Sequence, residues 1–302
     1  MVYNEKDMSG NDLMGVVIFD LDNTLYNWVD FFAPCFRGMV HALARETGLS
    51  EETLYTEFKA VYFKRGSLEW AFSVQELPSL QNVELEELRD YIRVAKGVFK
   101  RVREVNLQAY PRAKETLQRL RDEGYKIVAA TNSPKYHAQR RLQELKIDRF
   151  FDLLIAWEGY EIPDDIPLVD EFTTSETSNP YSGPLADRSL TVPEHLLKPN
   201  VEMYKLVCQQ EGFCSDNSWV IGDSIRKDLE PGLSLGLNAI WAKYGTHFEE
   251  KNWETLLRIT HWDPAKINHT YEEKLLPNIH IVEKFEEILN IVKLRQMGLP
   301  FD

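Results

Sequence analysis

Five short runs of consecutive apolar residues constrain the fold of this chain more than any other sequence feature. Each run ends in a polar or glycine-containing turn, and helical patterns lie between most of them. Unbroken apolar character is typical of strands covered on both faces, and alternation with helices favours parallel strands. The chain is therefore predicted to have an α/β fold with a doubly wound, mainly parallel sheet. The predicted strands cover residues 16–19, 127–130, 153–156, 219–221 and 239–241, with an edge strand at 279–282 before a closing helix.

The interval between the first two predicted strands is too long for a single crossover helix. It contains two stretches of helical apolar spacing, with Gly48 as a stop signal and Ser50 as the cap of the next helix. We therefore predict a helical cap over residues 28–106, inserted into a core made of residues 15–27 and 107–302.

Two further segments are predicted to be irregular. Residues 158–197 are rich in proline and polar residues, which is typical of a long loop or lid insertion, although a small β excursion is an alternative. Residues 1–14 carry several charged and amide side chains instead of the apolar stretch of a secretory signal, so we expect a flexible tail.

Charge and apolar patterning limit the partners of this chain. The 48 acidic and 35 basic residues give a formal charge of −13, which argues against a nucleic-acid backbone or an anionic membrane as the main partner. No apolar run approaches the roughly 18 residues that a bilayer span requires. Cys35, Cys208 and Cys214 lack the spacing of a zinc site or a disulfide framework, so reduced thiols and a cytoplasmic location are expected.

Two acidic residues follow the first predicted strand directly. Asp20 and Asp22 stand two positions apart at its carboxyl end, where α/β sheets place their ligands. One carboxylate of such a pair can bind a hard cation and attack an electrophile, while the other transfers a proton. A turn in which Asp22 and Asn23 cap the local backbone is the alternative interpretation.

The second predicted core strand ends in another polar cluster, Thr131-Asn132-Ser133. A threonine hydroxyl and the amides of the following turn can bind the oxygens of a phosphate at the start of a helix. An ordinary helix start, with Ser133 as N-cap and Pro134 as the first helical residue, explains the same residues without a ligand.

Two later clusters complete the set of candidate site residues. Lys198 precedes a predicted helix and, if it lies near a nucleophile, would offset charge on a transferring phosphoryl group. Asp223 follows the fourth predicted strand, with Asp228 five residues beyond it. Asp223 is either a helix cap or the additional carboxylate of a Mg²⁺ site shared with the first-strand pair.

The order of these clusters resembles the haloacid dehalogenase superfamily. The similarity covers about 16–292, and the position of the cap between the first two motifs resembles the helical type-1 cap. Family members that displace halide lack the second acid of the first motif, so Asp22 indicates the phosphatase branch. The matching motifs are Asp20-x-Asp22-x-Thr24, Thr131-Asn132-Ser133, Lys198-Pro199 and Gly222-Asp223-x-x-x-x-Asp228.

This resemblance implies a role for each matching residue. Asp20 would attack phosphorus, and Asp22 would protonate the leaving oxygen and later help to activate water. Mg²⁺ would bind the side chains of Asp20 and Asp223 and the backbone carbonyl of Asp22. Thr131, the Asn132 amide and Lys198 would hold the phosphoryl group, with Asp228 orienting Lys198 or a metal-bound water.

The expected activity is Mg²⁺-dependent hydrolysis of a small phosphorylated metabolite through an aspartyl phosphate. Two alternatives remain open at the level of sequence. One is a phosphomutase, which returns the phosphoryl group to substrate, and the other is a non-catalytic phosphate-binding regulatory protein.

Overall fold

A parallel sheet of seven strands forms the centre of the protein. The computed structural model describes residues 14–160, 181–210, 215–260 and 278–296. The strands are β1 (Gly15–Phe19), β2 (Tyr125–Pro134), β3 (Leu153–Trp157), β4 (Ser189–Val192), β5 (Trp219–Gly222), β6 (Asn238–Ala242) and β7 (Ile279–Val282). Their order is β4-β3-β2-β1-β5-β6-β7, and every neighbouring pair is parallel. The predicted α/β fold with a parallel sheet is confirmed.

Strand β1 lies at the middle of the sheet and is covered on both faces. Val16 and Ile18 belong to the apolar cluster on one face, whereas Val17 and Phe19 belong to the cluster on the other. All four side chains are fully buried. Burial on both sides is the physical reason for the unbroken apolar run in the sequence.

The strand register aligns the carboxyl ends of β1, β2 and β5. Phe19 lies opposite Ala129 of β2 and opposite Ile221 of β5. The residues that follow these positions therefore emerge together at one edge of the sheet, where open α/β sheets bind ligands.

Three long helices connect β1 to β2, namely α1 (Trp28–Thr47), α2 (Glu51–Arg65) and α3 (Leu85–Asn106). The Ser50 hydroxyl accepts a hydrogen bond from the Thr53 amide, and Gly48 ends α1 in the left-handed conformation with φ of 73°. Helix α1 packs closely on α3, since a Cβ at Gly38 would lie 3.2 Å from Val98. The helices fall within the predicted cap, whose status as a separate domain stays a prediction.

The remaining α-helices are shorter, and most of them pack against strands of the sheet. They are α4 (Ala113–Asp122), α5 (Lys135–Glu144), α6 (Glu202–Gln210), α7 (Glu230–Ser234), α8 (Glu250–Ile259) and α9 (Glu287–Gln296). Helix α1 contacts α8, because Arg37 donates hydrogen bonds of 2.8 Å to Asn252 and Thr255 of that helix. No helix among the described ranges is both long enough and apolar enough to cross a membrane.

The structure distinguishes between alternatives at two places in the chain. Strand β2 continues through Pro134 and α5 begins at Lys135, so Ser133 does not cap the helix. Part of the segment at 158–197 is regular, as the alternative of a small β excursion predicts, because β4 pairs with β3 and supplies an edge strand. Residues 161–180 of that segment, the predicted tail at 1–13 and Cys214 lie outside the described residues.

Candidate active site

The carboxylate of Asp20 lies at the carboxyl end of β1, beside a buried lysine. The Asp20 amide donates to the Ile221 carbonyl at 2.9 Å, which fixes the backbone where the strand ends. Lys198 Nζ lies 2.5 Å from Asp20 Oδ1 and 2.6 Å from Asp228 Oδ1. The Lys198 side chain is only 3% exposed, so these ion pairs are shielded from water.

Burial sets the electrostatics around Asp20. It raises the pKa of Asp20 to about 7, and the neighbouring carboxylates of Asp228 and Asp22 act in the same direction, whereas Lys198 opposes the rise. Asp20 and Asp228 in turn raise the pKa of Lys198 well above its usual value, against the effect of burial. Lys198 is therefore a permanent cation at this site.

A tight turn after β5 places Asp228 against Lys198. Asp228 Oδ2 accepts a hydrogen bond of 3.1 Å from the Ser224 amide, so one oxygen holds the turn while the other holds Lys198. A Cβ at Gly222 would lie 2.4 Å from the Asp228 Cβ. Glycine at this position is required for the close approach of Asp228.

Asn132 connects the end of β2 to the lysine segment. Its side-chain Nδ2 donates to the Lys198 carbonyl at 2.8 Å, and its Oδ1 accepts from the Lys198 amide at 2.9 Å. Thr131 is buried, and its hydroxyl oxygen accepts from the Ser133 amide at 3.1 Å. The structure thus brings Thr131 and Asn132 to the same edge as Asp20 and Lys198.

Three carboxylates at this edge form a group that suits a hard cation. Asp20, Asp223 and Asp228 each offer an oxygen, and these oxygens lie within 4.8 Å of one another. Burial raises the pKa of Asp223 well above its usual value, and the charges of Asp228 and Asp20 add to this effect. A divalent cation bound here would offset the repulsion among the three carboxylates. Carboxylate oxygens are also the ligands that Mg²⁺ prefers. The donor set therefore fits the predicted metal.

The side chain of Asp22 is held apart from this carboxylate group. Its Oδ2 accepts from the Ser133 hydroxyl at 2.7 Å, and its Oδ1 accepts from Tyr26 at 2.6 Å and from Arg141 NH1 at 3.1 Å. Burial raises the pKa of Asp22, while Arg141 opposes the rise. A carboxyl group that is easier to protonate than usual is suited to general acid catalysis.

Sequence reasoning missed two of the charged residues near Asp22. Arg141 of α5 binds both Asp22 and Glu69, and Glu69 comes from the segment between α2 and α3. Arg141 had a detectable signal, because it stands at helical spacing among the buried residues Ala138 and Leu142. Glu69 is separated from Arg141 by 72 positions and carries no comparable signal.

Two family models match the chain on either side of the segment at 163–195. A haloacid dehalogenase-like hydrolase model matches residues 14–162, and a HAD-hydrolase-like model matches residues 196–262. Together they cover β1, β2, β3, β5 and β6, and they include every motif residue described above.

Curated relatives and solved structures agree with this assignment. The chain is 20% identical over 235 residues to a glyceraldehyde 3-phosphate phosphatase of Pyrococcus furiosus, covering 78% of this chain and 82% of the relative. It is 23% identical to a phosphoglycolate phosphatase of Pseudomonas fluorescens, covering 76% and 70%. A putative β-phosphoglucomutase structure from Thermotoga maritima shares the fold, with a TM-score of 0.51, 19% identity and coverage of 92% and 98%. The chain therefore belongs to the haloacid dehalogenase superfamily and is one of its phosphatases.

Proposed function

We propose that this phosphatase hydrolyses a phosphomonoester through a covalent aspartyl phosphate on Asp20. The observation that carries the proposal is the pairing of Asp20 with buried Lys198. The carboxylate of Asp22, two residues after Asp20, faces away from the metal-binding group. This arrangement supports a division of labour between a nucleophile and a proton donor.

The first half of the reaction forms the intermediate. A carboxylate oxygen of Asp20 attacks phosphorus, the bond from phosphorus to the ester oxygen breaks, and protonated Asp22 gives its proton to the departing oxygen. Lys198 offsets negative charge on the phosphoryl oxygens. Thr131 lies at the same edge and contributes its hydroxyl to phosphate binding.

The second half returns the enzyme to its starting state. Asp22, now a carboxylate, accepts a proton from water as the water oxygen attacks phosphorus. The bond between phosphorus and Asp20 breaks, inorganic phosphate leaves, and Asp22 is again protonated. Asp228 keeps Lys198 in place throughout, because it is the second carboxylate in contact with the ammonium group.

Mg²⁺ is the proposed cofactor. The carboxylates of Asp20 and Asp223 and the backbone carbonyl of Asp22 would hold it, and its charge would polarise and partly neutralise the phosphoryl oxygens.

The proposed substrate is a small phosphorylated metabolite, and the proposed location is the cytoplasm. Relatives of the chain are named for glyceraldehyde 3-phosphate and phosphoglycolate, which are both small organic phosphates.

Phosphate release from a panel of metabolite phosphates and p-nitrophenyl phosphate tests the proposal. We expect release that requires Mg²⁺ and stops when a chelator is in excess. A phosphorylated Asp20, trapped by rapid acid quench and located by mass spectrometry, would support the covalent mechanism. Activity that is unchanged by the chelator, or a strict requirement for a bisphosphate activator, would contradict the proposed hydrolase.

A further inference from the structure

The guanidinium group of Arg141 lies between two carboxylates from different parts of the chain. Arg141 NH1 is 3.1 Å from Asp22 Oδ1 and 3.2 Å from the Ser133 hydroxyl. Its NH2 donates to Glu69 Oε1. The Arg141 side chain is 8% exposed and that of Glu69 is 12% exposed, so these contacts are largely shielded from water.

Each partner of Arg141 is fixed by further contacts. Glu69 Oε1 also accepts a hydrogen bond of 2.9 Å from Trp28 Nε1, at the first residue of α1. The Arg141 guanidinium packs over the ring of Phe31, with its central carbon 5.2 Å from the ring centroid. Arg141 is therefore held by Glu69 and the Phe31 ring on one side, and by Asp22 and Ser133 at the sheet edge on the other.

The contacts of Arg141 with Asp22 concern the reacting group itself. Asp22 receives donors on both oxygens, and Arg141 shares Oδ1 with Tyr26. If Arg141 were absent, Asp22 and Glu69 would face each other without a cation between them, and Asp22 would lose one of its three orienting donors. A buried ion pair that serves stability alone gives little net gain over apolar residues, so this placement requires another explanation.

We propose that Arg141 is a positioning residue for the acid Asp22, and that Glu69 makes this positioning depend on the segment between α2 and α3. The proposal rests on the role of Asp22 in the proposed function. When Glu69 is in place, one face of the guanidinium is occupied and the other is held toward Asp22. If the segment carrying Glu69 moved away, Arg141 would lose this contact and would hold the Asp22 carboxyl less precisely.

Leaving-group dependence tests this proposal. An activated aryl oxygen, as in p-nitrophenyl phosphate, departs without needing a proton, whereas an alkyl oxygen needs one. Both substrates are measured for Arg141→Met, Arg141→Lys, Glu69→Gln, the Arg141→Met/Glu69→Gln double variant and Asp22→Asn. The alkyl substrate is the metabolite phosphate of the panel that the parent enzyme hydrolyses with the highest kcat/KM. The ratio of the two kcat/KM values is the readout, because it does not depend on the fraction of folded enzyme.

For Arg141→Met we expect the aryl-to-alkyl ratio to rise about 10-fold or more, within the contribution typical of a general acid. Arg141→Lys should recover part of the effect, and Glu69→Gln should raise the ratio in the same direction by a smaller factor. The double variant should resemble Arg141→Met alone, because Glu69 acts through Arg141. Arg140→Met, which removes the neighbouring arginine of α5, is the matched control and should leave the ratio unchanged.

An unchanged ratio in Arg141→Met, with both substrates slowed equally, would overturn the positioning role. An effect of Glu69→Gln that adds fully to that of Arg141→Met would overturn the coupling through Glu69. Asp22→Asn separates these results from a failure of the proposed function. If Asp22→Asn raises the ratio and Arg141→Met does not, only the inference about Arg141 fails, whereas no rise in Asp22→Asn removes the acid role itself.

Discussion

The two halves of the site around Asp20 and Asp22 are built from different parts of the molecule. Around Asp20, the charged partners Lys198, Asp223 and Asp228 all come from segments that begin or end at the sheet edge. Around Asp22, the charged partners are Arg141 of a core helix and, through it, Glu69 of the inserted segment. In the proposed mechanism, the phosphoryl half around Asp20 is built from segments at the sheet edge, whereas the leaving-group half around Asp22 also depends on Glu69, from the segment between α2 and α3. If the proposed roles are correct, substrate choice could change in the second half without disturbing phosphate chemistry in the first.

The largest expected effect is that of Asp20→Asn in the phosphoryl half. The substitution removes the nucleophile and little volume, so we expect kcat to fall by at least about 10³-fold while the fold is retained. Aryl and alkyl phosphates should be affected alike, because the nucleophile serves every leaving group. Steady-state kinetics with circular dichroism as a folding control measures this, and near-normal turnover would contradict the mechanism.

Lys198→Ala should be the next most severe change. It removes the cation that offsets phosphoryl charge, and we expect a loss of about 10²–10³-fold in kcat/KM, again independent of the leaving group. It also leaves Asp20 and Asp228 buried without their cation, which should lower the free energy of unfolding by about 3–5 kcal/mol in the absence of Mg²⁺.

Activity assays and urea denaturation check both parts of this prediction. Lys205→Ala, on the exposed face of α6, is the matched control and should change neither quantity. A strong preference of Lys198→Ala for aryl over alkyl substrates would break the division between the two halves.

Gly222→Ala should act on the phosphoryl half through packing. The added methyl group would clash with the Cβ and carboxylate of Asp228, and the surrounding turn must shift to accommodate it. We expect a loss of about 1–3 kcal/mol in the free energy of unfolding, together with reduced kcat/KM as Lys198 loses its second partner. Thermal denaturation and kinetics of this variant would contradict the role of the turn if both matched those of the parent.

The smallest expected effect concerns His137 of α5, in the leaving-group half. Burial lowers the pKa of His137 from 6.5 to about 4; Glu69 opposes this, whereas Arg141, Arg103 and Lys96 reinforce it. The unfolded state therefore binds a proton more readily than the folded state, and stability present above about pH 6.5 is lost as the pH falls toward about 4.

His137→Asn should remove this contribution and flatten the decline. Since the residue is partly exposed, we expect the stabilities of the parent and His137→Asn to differ by roughly 1–2 kcal/mol more at pH 4 than at pH 8. Denaturant titrations at the two pH values measure it. A steeper acid decline in the variant would reverse the sign argued here.

Local patterns in the sequence determined the sheet and the phosphoryl half of the site. A strand buried on both faces must be apolar throughout, and parallel strands must place their carboxyl ends at one edge, so Asp20, Thr131 and Asp223 were predictable as neighbours. Lys198 was predicted through its motif, whereas β4 just before it was predicted only as one alternative, because a short edge strand with exposed residues has a weak apolar signal.

Only the tertiary structure decided the surroundings of Asp22. Ser133 looked like a helix cap, yet β2 continues past it and its hydroxyl binds Asp22. Arg141 and Glu69 are 72 positions apart in the sequence. The local sequence pattern around either residue does not indicate that the other is its partner. Such a pair depends on how the inserted helices dock on the sheet edge. Docking is set by the combined shape of many apolar side chains, so short-range periodicity in the sequence does not report it.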